Sequence, residues 1–456
     1  MKTKLDDIIL NHNSTIRQSI KAIDNNGVRG VFICDEGELL GIVMDSDIRR
    51  AILKNVDLDV SVKTIMKTNP FVISDRLSEI DTINSIISSG KLLVPVINAN
   101  DIVVGYYNLN DILNDIYAIN KRKSKSDFYH NERNILVIGG AGYIGSVLIS
   151  KLVSLNNNVR ILDLLLYGKD YLKNITQDKK VEFIRGDCRD EKIIQKALEN
   201  IDTVIHLGEI VGDPACSINE AFTIDVNYSA TQMIVDQCLR LGIETFIFAS
   251  SCSVYGQNDN EVNELTPPNP ISLYARCKIE SEHAILDHHS NFFSPTVLRL
   301  ATVHGKSFRQ RFDLVINYLA IKALVEKKIQ IFGGEQWRPF ISVNDICKGI
   351  IAIMNSDKKI VRNQIFNLGD SNENYTLNEV SSIIKEIIKD VEIEKLVDKV
   401  DNRNYKVNFD KIKNQIGFTA DYSIRDTILD FNKSYLTDDK YSDYHHAKYY
   451  NKYCLA

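Results

Sequence analysis

In the stretch Tyr274-Ala-Arg-Cys-Lys278 a phenol and a primary amine stand four residues apart, the spacing that brings two side chains onto one face of a helix. A free phenol ionises near pH 10 and is a poor base at neutral pH, but an ammonium group beside it favours the phenolate. The pair predicts a proton acceptor for an alcohol, with Lys278 lowering the pKa of Tyr274. Ser251 lies 23 residues earlier, in Phe248-Ala-Ser-Ser251-Cys252-Ser253-Val-Tyr-Gly256. A serine hydroxyl at a strand end can hydrogen-bond the oxygen from which the proton leaves. Oxidation is complete only if hydride also leaves the carbon, and that requires a redox cofactor.

A site for such a cofactor is legible upstream. Ile135-Leu-Val-Ile-Gly139-Gly140-Ala-Gly142-Tyr143-Ile144-Gly145 is an apolar strand running into a glycine cluster and then an amphipathic helix. It satisfies both GxxGxxG and, from Gly140, GxGxxG. Glycines are needed because the turn is tight and a pyrophosphate must reach backbone N–H groups at the positive end of the helix. A following strand ends in Asp163, 18 residues beyond Gly145. That carboxylate is placed to accept hydrogen bonds from an adenosine ribose, and its charge repels a 2′-phosphate. Leu164 to Leu166 supply no compensating arginine, so the expected cofactor is NAD rather than NADP.

These groups must be carried by a sheet. Strand-like segments at 135–138, 159–162, 181–184, 203–205 and 245–248 alternate with helical ones from Tyr143 and across 221–240. Such alternation predicts an α/β fold, a Rossmann-type doubly wound parallel sheet, here with a smaller C-terminal substrate-binding part.

At 456 residues, with 44% apolar and 25% charged residues, the chain suits two or three folded domains and excludes a disordered or fibrous protein. Against 60 acidic residues stand 55 basic ones, so nothing here grips a phosphate polymer and no nucleic acid partner is expected. The N-terminus reaches Asp6 and Asp7 before any signal-like apolar core, and no apolar run approaches the roughly 20 residues of a membrane span. A cytoplasmic protein without a membrane partner is expected. The eight cysteines form no CxxC pair and no cluster with histidine, which predicts reduced thiols and no metal.

The first 120 residues contain a repeat. Gly41-Ile-Val-Met44-Asp-Ser-Asp47-Ile48 recurs as Gly105-Tyr-Tyr-Asn108-Leu-Asn-Asp111-Ile112 at an offset of 64, while Ile20, Ile23 and Gly27 recur as Ile83, Ile86 and Gly90 at an offset of 63. Duplication with one inserted residue explains both. This resembles a tandem CBS pair, an α+β module, with copies at 5–60 and 62–118. The resemblance implies an adenine nucleotide in the cleft between copies, its ribose held by Asp47 and Asp111. Met44 and Asn108 stand where the family carries Thr or Ser, and either aspartate could instead cap the helix that follows it. Residues 121–133 are polar and basic and read as a linker.

From residue 134 to about 435 the chain resembles an extended short-chain dehydrogenase/reductase of the NAD-dependent epimerase/dehydratase family, which acts on nucleotide-activated sugars. The resemblance rests on the glycine turn, Ser251 and Tyr274-x-x-x-Lys278. Further matches are Gly186-Asp187, His206-Leu-Gly-Glu209, Asn227, Arg299-Leu-Ala-Thr302-Val-His-Gly305 and Trp337-Arg338-Pro-Phe-Ile-Ser-Val-Asn-Asp345. It implies that Gly139, Gly142, Tyr143, Ile144, Gly145, Asp163, Asp187, Cys188, Leu207, Asn227, Tyr274 and Lys278 hold NAD. It implies further that Ser251, Cys252, Ser253, Thr302 and Arg338 meet the substrate. Ile210-Val-Gly-Asp-Pro-Ala-Cys216, Ser307-Phe-Arg309-Gln-Arg311 and Asp401-Asn-Arg403 are similar to a subgroup that includes oxidoreductases of GDP-heptoses in surface-polysaccharide pathways. By that similarity Arg309, Arg311 and Arg403 line the phosphates of a GDP- or UDP-sugar. The resemblance implies a homodimer or homotetramer.

The 4,6-dehydratases follow the catalytic serine or threonine with Asp-Glu; this chain has Cys252-Ser253, which disfavours dehydration. Cys252 is either an epimerising acid or base or a buried small residue, and a one-residue shift from the relatives' cysteine reverses its direction along a strand. The expected reaction is hydride transfer at sugar C4, as an epimerase or a net oxidoreductase. A dehydratase and a non-catalytic NAD sensor are the alternatives. Glu209 for Ala and Thr302 for Asn point to a different sugar pocket. The tyrosine-rich tail, 436–456, either forms an interface or lies over its own domain.

Overall fold

The computed structural model describes residues 5–53, 56–78, 82–83, 85–86, 89–109, 112, 132–169, 171–288, 293–396, 403–435, 441 and 443–451. The chain divides into two units, 1–127 and 128–456. The division falls within the expected linker, most of which, with Asp111, lies outside the described residues.

In the first unit two three-stranded sheets repeat one pattern. β1 (Ile9–Asn11) runs parallel to β2 (Gly30–Asp35), which pairs antiparallel with β3 (Glu38–Met44). β4 (Ile73–Ser74), β5 (Leu93–Ile97) and β6 (Val103–Asn108) do the same. The pairs Val31↔Val43 and Val94↔Tyr107 are offset by 63 on one strand and 64 on the other, so the inserted residue sits in the turn of the second hairpin. Both hairpins shift register at equivalent points, Ile33/Cys34 and Val96/Ile97. Phe32 and Ile42 share a core with Leu93 and Val103. Each half thus buries apolar surface that it could not cover alone.

The second unit is built on seven parallel strands. They are β7 (Asn134–Ile138), β8 (Asn158–Asp163), β9 (Val181–Arg185), β10 (Thr203–His206), β11 (Thr245–Ser251), β12 (Ser294–Leu300) and β13 (Gln364–Leu368). In space the order is β13-β12-β11-β10-β7-β8-β9. Residues 135–138 of β7 are continuously apolar and at most 1% exposed, as expected of a strand covered by helices on both faces. Strand order reverses between β7 and β10, and in such sheets the crevice for a ligand opens beyond the strand ends at that point.

Three helices flank the crevice. α1 (Tyr143–Ser154) starts at the glycine turn. The expected helix across 221–240 is interrupted: a short helix, Glu220–Ile224, passes through a π turn, Asp225–Ser229, into α2 (Ala230–Arg240). α3 (Leu273–Leu286) begins where the Ser272 side chain accepts a hydrogen bond from the Ala275 N–H at 3.2 Å, which puts Tyr274 in its first turn. A second core gathers α4 (Val315–Val325), α5 (Leu377–Ile387) and α6 (Ile424–Ser434) around Phe312 and Phe340. The tail lies over this same unit: Tyr441, Tyr444 and Tyr449 pack on Phe312, and Asn451 reaches Asp313 and Val211.

Candidate active site

The glycine turn is dictated by contact with its neighbours. Gly139 has a φ of +75°, and a Cβ there would lie 2.5 Å from the Cα of Gly208; a Cβ on Gly145 would lie 2.6 Å from the Cα of Gly140. Backbone meets backbone at both points, so no side chain can be accommodated. At Gly142 a Cβ would meet only the Gly139 carbonyl, at 3.1 Å. Gly142 is the N-cap of α1 and supplies no side-chain cap, leaving the N–H groups of the first turn aimed at the cleft mouth.

That cleft has about 620 Å³ of empty space and is lined by Gly139, Gly142, Asp163, Asp187, Cys188, Leu207 and Glu209, among others. Asp163 accepts hydrogen bonds from the N–H groups of Ala141 at 3.0 Å and Leu165 at 2.7 Å, one on each carboxylate oxygen. Each oxygen retains a lone pair for a ribose hydroxyl. Asp187 is anchored by Arg189 at 2.7 Å, which holds its carboxyl below the usual range. The cradle, the uncapped helix start and the carboxylate at the end of β8 together fit an adenine dinucleotide.

Two expected contacts take another form. The Tyr143 hydroxyl donates to the Gly305 carbonyl at 2.6 Å and is held by Asn317, while Ile144 packs on the core, so only the backbone of these residues is available to a pyrophosphate. Asn227 is fully buried and uses both ends of its amide on Ile210, accepting from its N–H and donating to its carbonyl, each at 2.8 Å. It therefore shapes the loop after β10. The π turn widens the helix at this residue, a distortion that apolar periodicity does not register because both flanking segments remain amphipathic.

The chemical groups converge above the cleft. The Ser251 hydroxyl accepts the Ser253 N–H at 3.1 Å and lies close enough to the Tyr274 phenol to favour its ionised form. Lys278, 3% exposed, has its ammonium 4.6 Å from the centre of the Phe248 ring and 5.6 Å from that of Tyr274. It is bonded to the carboxylate of Glu209 and the carbonyl of Ala249. The expected lowering of the phenol pKa is not what the structure shows. Burial, and then the negative charge of Glu209, raise Tyr274 well above its ordinary value. The buried carboxylate offsets the lysine, and sequence spacing could not reveal this because Glu209 sits 69 residues from Lys278. Burial likewise raises Glu209 itself and lowers His206 to about 3.

Cys252 points into the hydrophobic core, 1% exposed, and its thiol donates to the Arg299 carbonyl. Burial raises its pKa, and it is withdrawn from any substrate role. The Ser253 hydroxyl is buried and makes no hydrogen bond among the described residues. Thr302 is half-buried at the start of a short strand, Thr302–His304.

The four arginines do not gather at one place. Arg309 lies with its guanidinium 4.1 Å from the Tyr167 ring centre, its N–H on Ser146 of α1, and its charge is felt by Asp163. Its guanidinium thus lies against Tyr167, a residue that also lines the dinucleotide cleft. Arg311 is clamped to Asp313 at 2.9 Å and lines a second cavity with Val211, Tyr318, Tyr444 and Tyr450. Arg338 is 5% exposed and donates to the carbonyls of Trp337 and Arg403, while Arg403 pairs with Asp213 at 2.9 Å. In the first unit, Asp47 accepts from the Met44 N–H at 3.0 Å and pairs with Lys67 at 3.2 Å, the geometry of a helix-start anchor. Among the described residues no group of three or more His, Cys, Asp or Glu could hold a metal, and no helix is long and apolar enough to cross a membrane.

Comparison with known proteins gives this geometry its context. An uncharacterized UDP-glucose epimerase of Bacillus subtilis is 32% identical over 263 residues, 56% of this chain and 81% of that protein. A putative UDP-glucose 4-epimerase of Methanocaldococcus jannaschii is 33% identical over 55% of this chain and 81% of its own. Among solved structures, the UDP-glucuronic acid 4-epimerase of Bacillus cereus, in complex with UDP-glucuronic acid and NAD, matches with a TM-score of 0.58 and 27% identity, covering 66% of this chain and 99% of that one. A CBS domain model matches residues 2–54. The model of the NAD dependent epimerase/dehydratase family matches residues 135–369. With the glycine cradle, the Asp163 carboxylate and the Ser251, Tyr274 and Lys278 cluster all inside that span, the chain belongs to the NAD-dependent epimerase/dehydratase family and takes NAD as its cofactor.

Proposed function

We propose that this chain oxidises C4 of a nucleotide-activated sugar and acts as a 4-epimerase or a C4 oxidoreductase, with a UDP-sugar as the first candidate. The observation that carries this reading is the convergence of Ser251 and Tyr274 beside the buried Lys278, above a cleft suited to a dinucleotide. NAD, when bound, accepts hydride from the sugar carbon. Ser251 holds the alcohol oxygen, and Tyr274 takes its proton and later returns it. Lys278, fixed by Glu209 and Ala249, supplies positive charge beneath both. Because the phenol resists ionisation, turnover is expected to rise with pH through the neutral range.

The second cavity, bounded by Val211, Arg311, Tyr318, Tyr444 and Tyr450, is the proposed place for the sugar nucleotide. Its aromatic rings suit a base and Arg311 suits a phosphate. The pair of acidic residues that expels a C6 hydroxyl in dehydratases has no counterpart at Cys252-Ser253, which supports epimerisation or net oxidation over dehydration. The N-terminal unit is proposed to adjust turnover by binding an adenine nucleotide. Its test is the effect of ATP and AMP on rate and melting temperature, and no effect of either discards it.

The reaction is tested by incubating the protein with UDP-, GDP-, CDP- and dTDP-sugars while following NADH absorbance and product stereochemistry. A new C4 isomer without net NADH identifies an epimerase, stoichiometric NADH an oxidoreductase, and a 4-keto-6-deoxy product a dehydratase. Tyr274→Phe should retain NAD and lose turnover by about 10²–10⁴-fold. Unchanged turnover in that variant refutes the catalytic assignment.

A further inference from the structure

Glu209 is a buried charge to which the reaction above gives no role beyond holding Lys278. It follows β10 in Leu207-Gly208-Glu209, its side chain is 2% exposed, and it lines the dinucleotide cleft. One carboxylate oxygen, Oε2, holds the Lys278 ammonium; the other, Oε1, is buried and has no hydrogen-bond partner among the described residues. Burying an ion pair gives little stability over apolar residues of the same size, and a carboxylate oxygen buried without a donor is a further cost. A purely structural pair would have closed that valence from within the protein. The residue that carries the open oxygen lines the cleft, and the ligand suited to the cleft carries hydroxyl donors on both riboses.

We infer that Glu209 is a positioning residue for the cofactor: Oε2 fixes the ammonium of Lys278, while Oε1 accepts a hydrogen bond from a hydroxyl of the ribose next to the nicotinamide ring. Lys278 and Glu209 then present one donor and one acceptor side by side, complementary to a sugar diol, whose two hydroxyls each donate and accept. The ammonium has three N–H donors, of which Glu209 and Ala249 take two, leaving the third for the same diol.

The arrangement has an electrostatic consequence. The ionisable groups that interact with Glu209 are Lys278, Tyr274 and Cys277 on α3, Cys216 on the short helix Asp213–Cys216, and Cys188 after β9; His206 of β10 feels the charge of Lys278. Burial holds the three thiols and the imidazole neutral, so the local charge is the lysine, the glutamate and the more distant Arg311. Removing the glutamate charge exposes Tyr274 to an uncompensated ammonium.

The inference rests on the cofactor reading but not on the sugar, and its test needs no turnover. NAD binding to the full chain is measured by calorimetry for the wild type, Glu209→Gln, Lys278→Met and the double variant Lys278→Met/Glu209→Leu. Glu209→Gln should weaken NAD about tenfold. The double variant, which carries neither charge and so avoids an unpaired ion, should bind NAD several-fold more weakly than Lys278→Met alone. In parallel, the ionisation of Tyr274 is followed by the ultraviolet difference between each protein and its Tyr274→Phe counterpart, and its midpoint should fall by a pH unit or more in Glu209→Gln. A double variant equal to Lys278→Met in affinity, or a Tyr274 midpoint unmoved in Glu209→Gln, overturns the inference. A wild type that does not bind NAD strikes the cofactor reading itself, so the two failures are distinct.

Discussion

Replacing Gly139 by alanine is a small change with a calculable cost. The residue has a φ of +75°, a left-handed conformation that costs a non-glycine residue about 1–2 kcal/mol. The new methyl would also lie 2.5 Å from the Cα and 2.6 Å from the N of Gly208, against ordinary contacts near 3.5–4.0 Å. Both obstructing atoms are backbone, so no rotamer relieves them and the loop carrying Leu207, Gly208 and Glu209 must move by about 1 Å. Overpacking of this kind costs about 1–3 kcal/mol. The two contributions come to about 2–5 kcal/mol against the geometry that binds NAD, which corresponds to at least about 30-fold in affinity. Calorimetric titration with NAD measures this directly. Gly417→Ala is the control, because that glycine has a φ of +74° and a Cβ there would meet nothing within 4 Å. It should cost about 1–2 kcal/mol of stability and leave NAD affinity alone. If Gly139→Ala binds NAD within threefold of wild type, or if Gly417→Ala weakens binding equally, the steric argument for the cradle fails.

Other consequences of the geometry can be measured on the same protein. Glu282 and Arg299 form a buried ion pair at 2.7 Å, tied on to Ser250 and Tyr255, so Glu282→Ala strands a buried guanidinium. It should cost about 3–5 kcal/mol, and at about 2 °C per kcal/mol lower the melting temperature by roughly 6–10 °C; a shift under 2 °C contradicts the buried pair. His206 and His304 are fully buried with pKa values near 3, so the folded state protonates them only well below the pH at which the unfolded chain does, about 6.5. Their stabilising effect is complete above pH 6.5 and lost as pH falls toward 3, and His206→Gln with His304→Gln should flatten that decline in thermal melts. Truncation before Tyr441 removes Tyr441, Tyr444 and Tyr449 from Phe312 and should lower the melting temperature. An unchanged melt in the truncated chain would show the tail to be a loose appendage.

Local patterns in the chain were enough to determine the cofactor half of this protein. A glycine turn, a strand ending in a carboxylate and an i, i+4 phenol–amine pair are each set by backbone geometry over a few residues, and the fold left them where their spacing required. The internal repeat was equally legible, down to its inserted residue, because strand register transmits a one-residue offset unchanged. What only the tertiary structure decided were the pairings across long separations: Glu209 with Lys278, Arg309 against Tyr167, Asn227 on Ile210, and the tail over Phe312. Each depends on which loops meet at the ends of parallel strands. The upward shift at Tyr274 follows from burial first and then from one of those meetings, since a carboxylate buried beside the ammonium offsets its effect on the phenol.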